Sequence, residues 1–271
     1  MDNERRKGEI TINGWRIDAT GEWSARPPEA FADAAKHVVR AIEGIEGCLY
    51  YRSRYAVTYQ TQITGESGNV LEVYIKAFEP PHGLAAVKGM MRGGRARNFR
   101  RVTEELHREG FRTPPLLLSG VHDASARTML TSARADGISL PELAASTHDH
   151  GFAARKRALM RALGTEIARL HRAGVVHGDL TPYNIFVVQS EPPRFIFLDH
   201  DRTRRAFPAW RHYRQLRNLV QLGRFDLPGL SNTDRLRFFD AYAAGLGRAR
   251  RRAMARRVAR MLARRRRRDA N

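Results

Sequence analysis

Apolar and polar positions change period several times along the 271 residues, and each change marks an element. Phe31, Ala34, Ala35, Val38 and Ile42 recur at helical spacing, which predicts a helix between Phe31 and Ile45. The leading residues, 1–30, mix polar groups with Trp15, Trp23 and the Pro27-Pro28 pair and are read as a loose leading segment. From Cys48 the period falls to two. Val57, Tyr59, Thr61 and Ile63 alternate with Thr58, Gln60 and Gln62, the turn Thr64–Asn69 follows, and Val70–Phe78 alternates again; this is the pattern of a β-hairpin. After Gly93-Gly94 a helix is expected up to Arg108, with Phe99, Val102 and Leu106 as its buried stripe, and Gly110 with Pro114-Pro115 ends it.

Two short strands, Pro115–Gly120 and Thr128–Ser132, come next. Ala153–Arg172 is the clearest helix, with Leu159, Leu163, Ile167 and Leu170 on one face and Gly174 beyond its end. Ile185–Val188 and Phe195–Leu198 flank a proline-bearing turn as a second hairpin, and the chain reads as helical from Trp210. Strands precede helices, so the expected class is α+β with a sheet lobe followed by a helical lobe.

Charge changes the picture. Lys and Arg number 48 against 28 Asp and Glu, a formal +20. Twelve arginines and no acid lie between Arg248 and Arg268, and without residues 248–271 the formal charge is still +9. Such a surface suits a polyanion: a nucleic acid, an anionic membrane face or a phosphorylated substrate. Met254, Val258 and Met261 share one side of the arginine-rich segment, a basic amphipathic pattern suited to an anionic membrane surface. No aromatic follows Tyr242, which argues against base stacking on RNA or DNA. The single cysteine, Cys48, excludes a disulfide framework within one chain. A charged N-terminus and the lack of any apolar run long enough to span a bilayer lead to an expected cytoplasmic location, with peripheral attachment to the inner membrane as an option.

The string His177-Gly-Asp-Leu-Thr-Pro-Tyr-Asn184, followed by Phe197–Asp201, carries the chemistry. Phosphoryl transfer requires a carboxylate to orient the attacking hydroxyl, oxygen ligands for Mg²⁺ and a cation on the phosphates. Asp179, in a loop after a helix, suits the first role. Asn184 follows five residues later, and Asp199 ends the facing strand of the hairpin, so the two emerge side by side as hard oxygen ligands. Taken singly, each is more often a turn residue; the whole string at this spacing is far more specific. Asp201 is read as a turn residue in preference to a ligand to a second metal, His177 as a loop-holding one and His171 as packing or cap.

The string resembles the catalytic loop and magnesium segment of the protein-kinase-like superfamily, which implies a two-lobed fold and ATP with Mg²⁺ as cofactors. By that resemblance Lys76, in Val73–Phe78, matches the strand lysine that holds the ATP phosphates. Within the superfamily the chain resembles the lipopolysaccharide core kinases, which phosphorylate heptose or Kdo sugars. His107–Gly120, Leu130–Leu143, Leu198–Arg205, His212–Phe225 and Asp234–Tyr242 carry that likeness, over roughly residues 48–245. It implies an anionic sugar or lipopolysaccharide acceptor, and Arg202, Arg204 and Arg205 are basic groups placed to hold one. The implied organisation is an N-terminal extension 1–47, an N-lobe with hinge 48–132, a C-lobe 133–247 and a basic tail 248–271.

Two features depart from the pattern. No glycine-rich loop precedes Lys76; Tyr51–Ala56 stands there, so Ser53, Arg54 and Tyr55 would cover the phosphates. Asn98 falls where the glutamate partner of Lys76 is expected, and helical geometry favours Glu105 for that role instead. The rival readings are an aminoglycoside-type phosphotransferase, which the basic charge disfavours; a small atypical kinase linked to tRNA modification, which would place glycine where His200 stands; and a catalytically dead scaffold binding RNA or membrane, which intact Lys76, Asp179, Asn184 and Asp199 oppose.

These parts predict magnesium-dependent ATP binding. Nucleotide at about 100 times its Kd adds about 2.7 kcal/mol to the stability of the folded state. A thermal-shift titration should show a clear rise in Tm with ATP and Mg²⁺ and a smaller one with ATP and chelator; no shift at millimolar nucleotide would remove the kinase reading.

Overall fold

The computed structural model describes residues 9–65, 68–80, 94–146, 150–188 and 191–269. Part of the Thr64–Asn69 turn, and Gly93, lie outside them. The chain divides into two compact units, one of residues 1–104 and 114–135, the other of residues 105–113 and 136–271.

The first unit is built on a seven-stranded antiparallel sheet. Its strands are β1 (Glu9–Ile12), β2 (Trp15–Ala19), β3 (Cys48–Arg52), β4 (Ala56–Thr64), β5 (Val70–Phe78), β6 (Leu116–His122) and β7 (Thr128–Ala133), in the order β1-β2-β6-β7-β5-β4-β3. The expected hairpin forms as β4 and β5, paired from Ala56 opposite Phe78 to Thr64 opposite Val70. Helix α1 (Pro28–Ile42), with proline at its first position, lays Phe31, Ala35, Val38, Val39 and Ile42 against this sheet. It meets Trp15, Ile17, Ile63, Val73, Ile75, Leu118 and Met129 there, which makes the main core of the unit. Each such side chain gains about 1.5–3 kcal/mol from full burial.

The segment before α1 is not loose. Trp15 and Ile17 are buried while Arg16 and Asp18 between them are exposed, so β2 alternates in period two and pairs with β6, Ile17 opposite Gly120. A strand of five residues with one core face is too short to stand out against its polar neighbours in the sequence.

Helix α2 (Gly94–Arg108) starts in the first unit, where Ala96 and Phe99 join Ala56, Phe78 and Leu130 in a small cluster on the other face of the sheet. Lys76 stands on that face, directly across from Leu130 and two residues from Phe78.

The second unit is mainly helical. It holds β8 (Ile138–Ser139), α3 (Leu140–Ala145), α4 (His150–Arg172), β9 (Val175–Val176), β10 (Ile185–Val188), β11 (Arg194–Phe197), β12 (Arg204–Arg205), α5 (Pro208–Gly223), α6 (Asn232–Tyr242) and α7 (Arg248–Asp269). The second expected hairpin forms as β10 and β11, with Ile185 opposite Phe197. Helices α4 and α6 approach so closely that a Cβ on Gly164 would strike the carbonyl of Phe238. A capping box of Ser231 and Asp234 starts α6, and the buried Asp234 carboxylate also meets Lys156 of α4 at 3.1 Å. The arginine-rich segment is one continuous helix, α7. It packs on α5 with Val258 buried and Leu262 against Gly223, and Arg266 pairs with Asp226 at 2.9 Å. Val258 and Leu262 are thus turned toward α5, while Met261, expected on the same side as Val258, is half-buried.

Ile17, with no exposed surface, reports whether the N-terminal hairpin belongs to the core. Ile17→Ala is expected to cost about 2–5 kcal/mol in urea unfolding; a cost under about 0.5 kcal/mol would make the hairpin an appendage.

Candidate active site

The loop after α4 turns because Gly174 adopts φ +79, and β9 then leads into His177. Gly178 is required for packing: a Cβ there would collide with the backbone of Arg202. The peptide of His177 is gripped by one side chain of α5, Asn218, whose Oδ1 accepts the His177 N–H at 3.0 Å while its Nδ2 donates to the His177 carbonyl. Asn218 is itself 3 % exposed, between Leu216, Leu219 and Val220 on the helix. Buried amide pairs of this kind are costly to leave unmade, so they hold the loop to one conformation.

His177 works from inside the loop. Its Nδ1 accepts the Asp179 N–H at 3.2 Å, which makes Nε2 the protonated nitrogen, and Nε2 donates to the Leu198 carbonyl at 2.8 Å. Burial pushes its pKa down, against the pull of the Leu198 carbonyl and of the Asp199 and Asp179 carboxylates. The neutral ring thus ties the Asp179 segment to the end of β11, the loop-holding role expected from the sequence.

Asp179 and Asn184 are joined through the backbone. The Asn184 Nδ2 donates to the Asp179 carbonyl at 2.8 Å, and a short 3-10 turn over Pro182–Asn184 feeds directly into β10. The Leu198 N–H donates to the Asn184 carbonyl at 2.9 Å, which places Asp199 next to Asn184. Asp199 has φ +59 and ψ 69, a left-handed backbone that few residues other than glycine adopt, aspartate and asparagine being the most tolerant of it. Strain of this kind, on the order of 1–3 kcal/mol, clusters at functional positions. With its NH2 bonded to the loop, Asn184 has Oδ1 left as the atom to meet a cation. An amide oxygen and a carboxylate make a donor set that fits Mg²⁺, which takes few protein ligands and completes its shell with water and phosphate oxygens. Among the described residues there is no cluster of three or more His, Cys, Asp or Glu that could hold a metal.

The Asp179 carboxylate accepts from Gln221 Nε2 at 3.4 Å, and Gln221 Oε1 accepts from Asn218 Nδ2 at 3.1 Å. Behind Asn218, His171 donates from Nε2 to its Oδ1 at 3.1 Å and pairs through Nδ1 with the Tyr242 hydroxyl at 2.8 Å. A chain of hydrogen bonds therefore runs Tyr242, His171, Asn218, Gln221, Asp179, buried at its centre and half-buried at its ends. Sequence reasoning missed Asn218 and Gln221. The available signal was a polar residue at Asn218 inside the apolar stripe of α5, with Gln221 three residues on and so on the same face. His200 was treated as a discriminating position only. It is fully buried, with Nε2 on the Phe197 carbonyl at 2.9 Å and Nδ1 near the Thr203 hydroxyl at 3.3 Å.

The other expected residues lie as follows. Lys76 is half-buried on β5, its ammonium 5.5 Å from the Phe78 ring centre. Ser53 closes the β3–β4 turn: its hydroxyl donates to the Ala56 carbonyl at 3.0 Å and accepts the Ala56 N–H at 3.1 Å. Glu105 lies 3.6 Å from Arg205, which also pairs with Glu109 and donates to the Ala173 carbonyl at 2.8 Å. Arg205 is therefore committed to bracing α2 against the end of α4, and the expectation that it holds an acceptor is corrected. Asn98 accepts from Arg101 at 3.2 Å.

An Asp-bearing loop tied to an Asn and a strained Asp at the end of a hairpin, in a chain with a sheet unit and a helical unit, defines a phosphotransferase of the protein-kinase-like class. Residues 86–242, more than half of the chain, match the lipopolysaccharide kinase (Kdo/WaaP) family, and the chain belongs to it. A solved structure described as WaaP in complex with acyl carrier protein is similar in fold, with a TM-score of 0.58 at 21% identity over 87% of this chain and 97% of that one. No curated protein matches the chain. The matched family is one of kinases, so the chain is an enzyme that phosphorylates a hydroxyl, as expected from its loop.

Burial pushes the pKa of His171 from 6.5 to about 4 and that of His200 to about 3. Both rings stay neutral in the fold and take up a proton on unfolding once pH is below 6.5. Their contribution is complete above pH 6.5 and is lost as pH falls toward 4 and then 3, each at up to about 1.4 kcal/mol per pH unit. Urea midpoints should therefore drop between pH 7 and pH 5, and His200→Gln should flatten that slope; equal midpoints at both pH values would refute the neutral assignment.

Proposed function

We propose that the chain transfers the γ-phosphate of ATP, with Mg²⁺, to a sugar hydroxyl of the lipopolysaccharide core, on Kdo or heptose. The observation that carries this is the single hydrogen-bonded unit of Asp179, Asn184 and Leu198–Asp199. Asp179 orients the acceptor hydroxyl and receives its proton as the new phosphorus–oxygen bond forms and the bond to the ADP oxygen breaks. Gln221 aims the carboxylate. Asn184 and Asp199 hold Mg²⁺, which when bound offsets negative charge on the phosphates. Lys76 holds the ATP α- and β-phosphates, the Ser53 turn covers them, and Glu105 is the candidate to orient Lys76. Membership of a lipopolysaccharide kinase family supports the sugar acceptor.

Among the described residues no helix is long and apolar enough to cross a membrane. The basic surface supports work at the cytoplasmic face of an anionic membrane, held by charge. Nucleic acid is the weaker partner, since α7 carries no aromatic residue.

Asp179→Asn keeps the shape and removes the base. With labelled ATP and extracted lipopolysaccharide, label transfer should fall at least about 100-fold while ATP binding stays near wild type. Asp199→Asn should instead weaken magnesium-dependent ATP binding. Wild-type rates in both variants would overturn the assignment.

A further inference from the structure

Helix α7 lies beyond the residues matched to the family, 86–242, yet it forms a wall of the space in front of Asp179. Residues of α5 and α7 enclose an open basin of about 820 Å³, a size in the range of small-ligand sites. Among the described residues twelve line it, seven of them arginines, and Asp179 is the one carboxylate among these. Two of the seven, Arg224 and Arg265, pair with Asp269. The other five, Arg217, Arg257, Arg260, Arg264 and Arg268, make no ion pair among the described residues. On α7 the last four fall at steps of three and four, so they form one stripe. The apolar side of the same helix, with Val258 and Leu262, holds it to α5 and so aims that stripe.

Five like charges around one basin repel each other, which works against the folded state. Guanidinium groups are suited to phosphate oxygens, which they bind through paired hydrogen bonds. The γ-phosphate alone does not account for the array, because the phosphate-handling groups, Asn184, Asp199 and Lys76, are other residues. The stripe continues outward along α5 from Arg217 through Tyr213 to Trp210. Phe207, at 73 %, and Trp210, at 60 %, are among the most exposed apolar side chains of the protein. Exposed aromatics beside arginines suit the boundary of a lipid surface.

Resting on the kinase reading above, we infer that this basin is the acceptor subsite. It takes a sugar headgroup that already bears phosphate groups, clamped by Arg257, Arg260, Arg264 and Arg268 so that its free hydroxyl meets Asp179. The helix that looked like an appended basic tail is then part of the substrate-binding apparatus, and an acceptor stripped of its existing phosphates is a poor substrate.

The test uses the full chain and a water-soluble probe: deacylated, bis-phosphorylated lipid A bearing its core sugars, alongside the same oligosaccharide after phosphatase treatment. Calorimetry should show the bis-phosphorylated probe binding at least about 30-fold more tightly than its dephosphorylated twin, since each lost charge-assisted contact weakens binding severalfold or more. Arg260→Gln/Arg264→Gln should remove that preference, whereas Arg256→Gln/Arg267→Gln, an equal charge change outside the basin, should keep it. In turnover the basin variant should raise KM for the phosphorylated acceptor with kcat nearly unchanged. Circular dichroism and urea midpoints check that both variants fold. Equal affinity for the two probes, or equal weakening by the two variants, overturns the inference. So does competition by phosphatidylglycerol vesicles or inorganic phosphate at the same charge concentration as the probe, which would mark a general anion surface. Binding is read without ATP, so a wild-type protein that binds the phosphorylated probe and phosphorylates no acceptor refutes the kinase reading and leaves the basin standing. One that phosphorylates both probes equally well does the reverse.

Discussion

Asn218 holds the segment that carries Asp179 by both polar atoms of the His177 peptide, in a site closed to water. The position of the Asp179 carboxylate follows from that grip. Once the peptide at His177 is fixed, the imidazole reaches the Leu198 carbonyl and the Asp179 N–H at once. That bond sets the end of β11 and hence Asp199. The loop then closes on itself through Asn184. Every bond in the series is buried or half-buried, where a missing partner costs about 1–3 kcal/mol. The arrangement is therefore stiff, which phosphoryl transfer rewards, because positioning supplies most of the catalysis.

Among the described residues the arginines fall into three uses once contacts are known. Some arginines are structural: Arg205 braces Glu109 and Ala173, Arg169 caps the chain at Glu109 and Gly110, and Arg266 ties α7 to Asp226. Others line the basin before Asp179. The rest cover the surface. A guanidinium that donates to two or three backbone carbonyls is a packing device, and one that faces open water among its own kind is an electrostatic one. Residue type alone does not separate them.

Strong periodicity and a dense motif were legible in the sequence. The β4–β5 and β10–β11 hairpins, α4 and the adjacency of Asn184 to Asp179 and to Leu198–Asp199 could be read, because each rests on contacts within a short stretch of chain. Helix α1 and the strands β6 and β7 were read within a few residues of their ends. The first two strands were not, since β2 shows its alternation over five residues only and gains its partner, β6, from about a hundred residues later. Helix α7 was expected from the run with Met254, Val258 and Met261 on one side; that Val258 is buried and Leu262 lies against Gly223 of α5 is decided by the fold, which alone supplies the neighbour.

By itself, then, the sequence supplied the motif and the charge: a carboxylate proposed as the base, two oxygens that suit a cation, and a net charge of +20 that favours an anionic partner. Tertiary structure decided how those groups are held and what stands around them. Asn218 and Gln221 become supports of Asp179 only when α5 crosses the loop, some forty residues along the chain. Arg205 is taken from the acceptor and Arg260 brought toward it for the same reason. A side chain's partners are set by distance in space, and local periodicity carries information only over a few turns of helix or a single hairpin.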